Sequence, residues 1–357
     1  MARYETREAI AKLTDPEFAE LLKASQKGAA SGAGGSLEAN AAIFAALSRE
    51  NLPATDTDAL LDIPMRDGRL AWARVYKSSK PSSGPSPLVV LVHGGGFVLG
   101  DPTHVALTGK SIAEATGAVV VAPSYRLAPK HTFPAAPEDI WDALNWLAQP
   151  ANATSLGADI SAGLVLGGVS AGGNLAAAAA QRCVTDGNSH GLTGVLLIVP
   201  HVLEQEIVPE KYKDAYFSRE QNAAAVIDKA ALDFVERTVN FDKTSPLFSP
   251  FNAPTPHVGM PPVYIQVAGQ DAMRDDGLVY ERVLREHGVK TLLDVYPGVP
   301  HAHAFMFPTL KTAEKAHVDL VKGAAWLLGK DVGHEQAASA VAVAAASLPP
   351  QTAPSVN

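Results

Sequence analysis

The stretch Leu164-Val165-Leu166-Gly167-Gly168-Val169-Ser170-Ala171-Gly172-Gly173-Asn174 constrains the fold more tightly than any other part of the chain. Its first three residues have the character of a buried strand. The alanines after Leu175 are strong helix formers. A strand, a Gly-x-Ser-x-Gly turn and a helix in that order describe a nucleophile elbow, a turn so tight that its central serine is strained. Glycine two positions either side of Ser170 lets strand and helix approach closely. The first amides of the helix aim at the serine, where a developing negative charge would be stabilised.

The rest of the chain repeats this alternation. Residues 60–65 and 71–76 read as strands joined by Arg66-Asp67-Gly68-Arg69, an Asp-Gly hairpin signal. Residues 88–92 and 119–122 are continuous apolar runs, as buried parallel strands are. A helix containing Ile112 separates them, and Pro137 opens another with Ile140, Trp141, Leu144 and Leu147 on one face. Further strands are expected at 194–199, 263–267 and 291–296, and further helices at 277–287 and 309–328. Between them the pattern stops: 204–244 reads as largely helical and polar, and 246–262 as a proline-rich connector.

At the N-terminus, Thr14-Asp15-Pro16-Glu17 reads as a helix start, with Phe18, Leu21 and Leu22 as its apolar stripe. A flexible glycine-alanine-serine loop over 28–35 leads to a second helix carrying Leu37, Ile43, Phe44 and Leu47. From Gly333 the chain is alanine-rich and ends in prolines, which predicts a mobile tail, weakly helical at most over 337–347. Strands alternating with helices predict a mostly parallel sheet covered on both faces, with ligands at the carboxyl ends of its strands. His93, Ser170, Asp271 and His301 all fall just past predicted strand ends.

Composition narrows the partners. A net charge of −8 without a Lys/Arg cluster argues against a nucleic-acid surface. No run of about 18 apolar residues is present to span a membrane. The first residues are polar and lack an apolar signal core. The single cysteine, Cys183, has no internal disulfide partner and reads as core packing, which fits a reducing, cytoplasmic setting.

A serine hydroxyl needs a base, a carboxylate to orient that base, and donors for the oxyanion. His93-Gly94-Gly95-Gly96-Phe97 follows an apolar strand at once and offers unencumbered amides of the HGGG type, with His93 bracing the loop. A phosphate loop is the less fitting reading, because the Lys and Ser/Thr such a loop needs are missing. Asp271 lies just beyond a strand, whereas Asp275 and Asp276 open a helix, where acids suit the dipole. Gly298-Val299-Pro300-His301-Ala302-His303 offers two candidate bases. His-x-His also suits a metal, but no third ligand is grouped with it. The order Ser, Asp, His is that of an α/β-hydrolase.

Together these motifs resemble the hormone-sensitive-lipase-like, HGGG-type group of α/β-hydrolase esterases. Ser124-Tyr125-Arg126-Leu127-Ala128-Pro129 is similar to that family's Asp-Tyr-Arg-Leu-Ala-Pro block. Asp271-Ala272-Met273-Arg274-Asp275-Asp276 resembles its acid motif, whose first Asp is catalytic. The resemblance implies an α/β-hydrolase core at 60–200 and 256–332, cap helices at 1–59 and a second cap segment at 201–255; the mobile tail at 333–357 is read from composition. It maps the oxyanion donors to the amides of Gly95, Gly96 and Ala171. Val169 and Ser124 depart from the family by replacing aspartates. Spacing from Gly298 selects His301 as base, while a His-x-Phe spacing to Phe305 selects His303; His301 is the favoured choice. The implied activity is a serine carboxylesterase for small or medium acyl esters or lactones, using Ser170, His301 and Asp271 without metal or cofactor. An acyltransferase with the same triad and a non-catalytic small-molecule receptor are the alternatives. Exposed edge strands in such sheets leave a homodimer open.

Overall fold

The computed structural model describes residues 10, 13–28, 55–80, 84–221 and 226–348. The expected second N-terminal helix near 36–47 lies outside them, as does most of the loop before it. The strands are β1 (Asp58–Pro64), β2 (Leu70–Tyr76), β3 (Leu88–Val92), β4 (Val119–Pro123), β5 (Leu164–Val169), β6 (Leu192–Ile198), β7 (Val263–Ala268) and β8 (Thr291–Tyr296). They form one eight-stranded sheet in the order β1-β2-β4-β3-β5-β6-β7-β8. β2 runs antiparallel to both its neighbours, and every other pairing is parallel.

That order reverses between β3 and β5, which pair directly with Val92 opposite Gly168. A reversal of this kind opens a crevice at the carboxyl ends of the two strands. The HGGG loop leaves β3 and the elbow leaves β5, so the two glycine-rich segments stand side by side there. The alternation of side chains along β3 explains its unbroken apolar run. Leu88, Val90 and Val92 enter the core on one face, Val89 and Leu91 that on the other.

The helices are α1 (Pro16–Gly28), α2 (Ala106–Thr116), α3 (Ala135–Leu147), α4 (Pro150–Ser155), α5 (Ala171–Thr185), α6 (Ser218–Gln221), α7 (Lys229–Val239), α8 (Arg274–Glu286), α9 (His303–Met306), α10 (Lys311–Leu327) and α11 (His334–Ala346). One face of the sheet carries α3, α5 and α8 through Ile140, Leu175 and Leu284. The other carries α2 and α10 through Ile112 and Leu320. No helix among the described residues is long and apolar enough to cross a membrane.

Two stretches differ from expectation. The segment 204–244 is less helical than its composition predicts. It holds short 3-10 turns at Gln205–Ile207 and Glu210–Ala215 besides α6 and α7, with Val208, Tyr212 and Tyr216 buried against Val279 and Val283 of α8. The other difference is α11, where a mobile tail was expected. Ala337 and Ala340 pack with Ala115, Val318 and Val321 of α2 and α10. Gln336 donates from Nε2 to the Ala115 carbonyl at 3.1 Å. Small side chains let these helices approach closely without the leucine or isoleucine stripe that marks a docked helix in a sequence.

Candidate active site

Ser170 caps α5 with φ 56° and ψ −114°, a left-handed conformation costing about 1–3 kcal/mol in a non-glycine residue. Two backbone bonds hold it: its N–H donates to the Ile198 carbonyl at 2.8 Å, and its carbonyl accepts from Asn174 N–H at 3.0 Å. The flanking glycines explain why such a turn closes. A Cβ on Gly168 would come within 2.2 Å of the Gly172 oxygen, and one on Gly172 within 2.3 Å of the Val92 oxygen.

Loops after β7 and β8 bring two further groups to the serine. His301 Nε2 lies 2.9 Å from Ser170 Oγ, and His301 Nδ1 lies 2.7 Å from Asp271 Oδ2. A carboxylate only accepts, so it fixes the ring proton on Nδ1 and leaves Nε2 as acceptor for the hydroxyl. Asp271 is fully buried, and its Oδ1 accepts the Met273 N–H at 2.8 Å. His303 goes elsewhere. Ala302 turns the chain through φ 50°, and the His303 ring packs on Tyr296 with Nε2 donating to the Thr312 carbonyl at 3.4 Å. Burial pulls its pKa down to about 4. Among the described residues, no group of three or more His, Cys, Asp or Glu side chains is arranged to hold a metal ion.

The HGGG loop is braced from beneath. The His93 ring stacks on Tyr125 at 4.3 Å and donates from Nδ1 to the Gly94 carbonyl at 2.8 Å. The Tyr125 hydroxyl donates to the His93 carbonyl at 3.1 Å. Burial lowers His93 to about 4, so it is neutral at pH 7. The neighbouring Arg126 is clamped by the buried Asp139 of α3, with Nη2 at 2.7 Å from Oδ1. Gly95 adopts φ +117°, and a Cβ there would strike the Leu99 carbonyl oxygen at 2.1 Å. The amides of Gly95, Gly96 and Ala171 donate no hydrogen bond among the described residues and line the cavity that holds Ser170 and His301.

That cavity measures about 100 Å³. Its outer wall comes from the expected second cap segment, through Ala231, Leu232 and Val235 of α7, and from Phe305 and Met306 of α9. Asp275 and Asp276 do more than serve the dipole of α8. Both are fully buried. Asp275 accepts the amides of Phe217 and Ser218, and Asp276 those of Val202 and Leu203, all within 3.0 Å. They fasten the segment after β6 to α8.

Among the cavity residues that sequence reasoning passed over, His201 stands nearest the serine's backbone. It lines the cavity just past the end of β6, and its backbone N–H reaches the Ser170 carbonyl at 3.5 Å. The strand-end position that singled out the other candidates applies equally to His201. Its Nε2 donates to Glu204 at 2.7 Å, and Arg219 Nη1 meets the same carboxylate oxygen at 3.1 Å.

Comparison with known proteins agrees with this fold. Residues 89–305 match the family model of the alpha/beta hydrolase fold. A versiconal hemiacetal acetate esterase of Dothistroma septosporum is 36% identical over 263 residues, covering 73% of this chain and 79% of that protein. Among solved structures, vibralactone cyclase superposes with a TM-score of 0.76 at 31% identity, covering 88% of this chain and 95% of its own. An esterase of Pyrobaculum calidifontis does so with a TM-score of 0.68 at 30% identity, covering 89% and 99%.

Proposed function

We propose, on the premise that this chain belongs to the α/β-hydrolase family, that it is a serine carboxylesterase of the HGGG type working through an acyl-enzyme. The observation that carries this reading is the continuous line from Asp271 through His301 to Ser170 Oγ at 2.7 and 2.9 Å. In the proposed cycle, His301 Nε2 takes the hydroxyl proton as Ser170 Oγ attacks the ester carbonyl. Asp271 steadies the imidazolium that forms. The oxyanion settles on the free amides of Gly95, Gly96 and Ala171, each contributing about 3 kcal/mol to barrier lowering. His301 then protonates the departing alcohol. Water, deprotonated by the same ring, attacks the acyl carbonyl and restores Ser170.

The apolar wall around the site supports small or medium acyl groups as substrates, lactones included. It also supports a second reading, acyl transfer, in which an alcohol takes the place of water in the last step. Ser170→Ala tests the first reading. Hydrolysis of p-nitrophenyl butyrate is expected to fall at least about 1,000-fold with the fold intact by circular dichroism. Full activity in that variant removes the mechanism. Added methanol separates the two readings through the ratio of methyl ester to free acid.

A further inference from the structure

We infer that His201 is a specificity-determining residue that reads a hydroxyl group on the substrate, so that the preferred substrates are hydroxylated esters. This inference rests on the esterase reading above and names the substrate class of the same site.

Among the described residues, the side chains lining the cavity are apolar apart from Ser170, His301, His104 and His201. Ser170 and His301 are occupied with each other. His104 is spent on its own loop, where Nδ1 accepts the Asp101 N–H at 3.3 Å. His201 is different. Its Nε2 faces Glu204, but its Nδ1 has no hydrogen-bond partner among the described residues and is not sealed from solvent. An otherwise apolar pocket is thus lined by one ring whose Nδ1 neither the triad nor the scaffold uses.

The carboxylate behind the ring decides which nitrogen is left for a ligand. Burial alone would raise the pKa of Glu204, but the hydrogen bond from His201 and the charge of Arg219 hold it down at about 2. An ionised carboxylate accepts only, so Nε2 carries a proton and Nδ1 stays open. A hydroxyl both donates and accepts, so it is the substrate group that pairs with Nδ1 in either state of the ring. Arg219 is itself anchored by the Leu203 carbonyl and by Asp276, and the ring meets Phe241 and Phe248 edge-on at 6.1 and 5.6 Å. Nδ1 is therefore set in place before substrate arrives. The direct contact of His201 N–H with the Ser170 carbonyl puts the residue beside the nucleophile, so the hydroxyl belongs near the scissile ester.

The test is kcat/KM for matched ester pairs that differ by one hydroxyl. The panel places that hydroxyl at each of the second to sixth acyl carbons and on the alcohol portion. The wild-type enzyme is expected to favour at least one hydroxylated member by about tenfold or more, the scale of one hydrogen bond in a dry site. His201→Phe keeps a ring of similar shape without Nδ1, and the preference is expected to fall towards one. Glu204→Gln frees the tautomer and is expected to cut the preference as well, which covers the case in which His201→Phe fails to fold. A purely structural role would lower both members of a pair together and leave their ratio unchanged. No preference anywhere in the panel, or a preference that survives in a folded variant, overturns the inference while leaving the esterase reading standing. Failure to turn over any member, hydroxylated or not, overturns both.

Discussion

Gly172 lies so close to the end of β3 that a Cβ at this position would meet the Val92 carbonyl oxygen at 2.3 Å. The strand that launches the HGGG loop and the helix that follows Ser170 are thus in backbone contact. Ser170 and the HGGG loop are positioned by one packing event. Neither carbonyl nor helix has a flexible side chain to yield. Gly172→Ala is expected to cost about 3 kcal/mol or more in urea unfolding. Gly84→Ala, where an added Cβ meets nothing within 4 Å among the described residues, serves as control. Its expected change is within about 0.5 kcal/mol. Equal small effects in both would mean the elbow is looser than described.

The two histidines after β8 are expected to separate in function. His301→Ala is expected to lower kcat by about 1,000-fold or more, because it removes the proposed base beside Ser170 Oγ. His303→Ala empties a packed ring site instead, with turnover expected to stay within about tenfold and stability to fall by about 1–3 kcal/mol. Kinetics and unfolding of both variants check this. The reverse pattern would move the base to His303.

Much of this arrangement is legible in the sequence, because each candidate sits at a strand end and the topology fixes where strand ends gather. The Gly-x-Ser-x-Gly turn and the HGGG loop announce themselves by composition. The choice between His301 and His303 is not legible from spacing, since it depends on the left-handed turn at Ala302. The wall of the cavity is hidden for another reason. The Ala231, Leu232 and Val235 face of α7 lies in a polar stretch where the strand-helix alternation has stopped. α11 escapes because alanine faces carry no periodic signal. His201 was within reach of the strand-end rule, but Glu204 and Arg219, which give it meaning, are related to it only through the fold.

α11 yields its own prediction. Deleting residues 334–357 would uncover the apolar surface of Ala115, Val318 and Val321. The truncated chain is expected to lose about 2 kcal/mol or more in urea unfolding. Ester hydrolysis by the folded fraction should persist, since the helix packs on α2 and α10 rather than at the cavity. Unchanged stability would return the segment to a loose tail.

Acid should destabilise the protein well before its carboxylates protonate. Burial holds His93, His257 and His303 at about 4 against an ordinary 6.5, and lowers His317 for the same reason. Between those values the unfolded chain binds protons that the folded chain refuses, so stability falls as pH drops from about 6.5 towards 4. His93, His257 and His303 each contribute on the order of 3 kcal/mol at most by the foot of that window. Glu204, held at about 2, gives up its contribution only below its ordinary value of 4.5. Asp276 and Asp294, raised by burial, oppose the loss near the bottom. Urea midpoints at pH 7 and pH 5 measure the effect, and His303→Phe should narrow the difference. A flat profile from pH 7 to 5 would contradict it.

The central claim is that Ser170 is an activated nucleophile, and a fluorophosphonate probe tests it most directly. Intact-mass and peptide analysis should find one phosphonyl group per chain, on Ser170, absent from Ser170→Ala and formed at least about 100-fold more slowly in His301→Ala. Labelling at another residue, or ester hydrolysis that continues while Ser170 remains unmodified, would contradict the account.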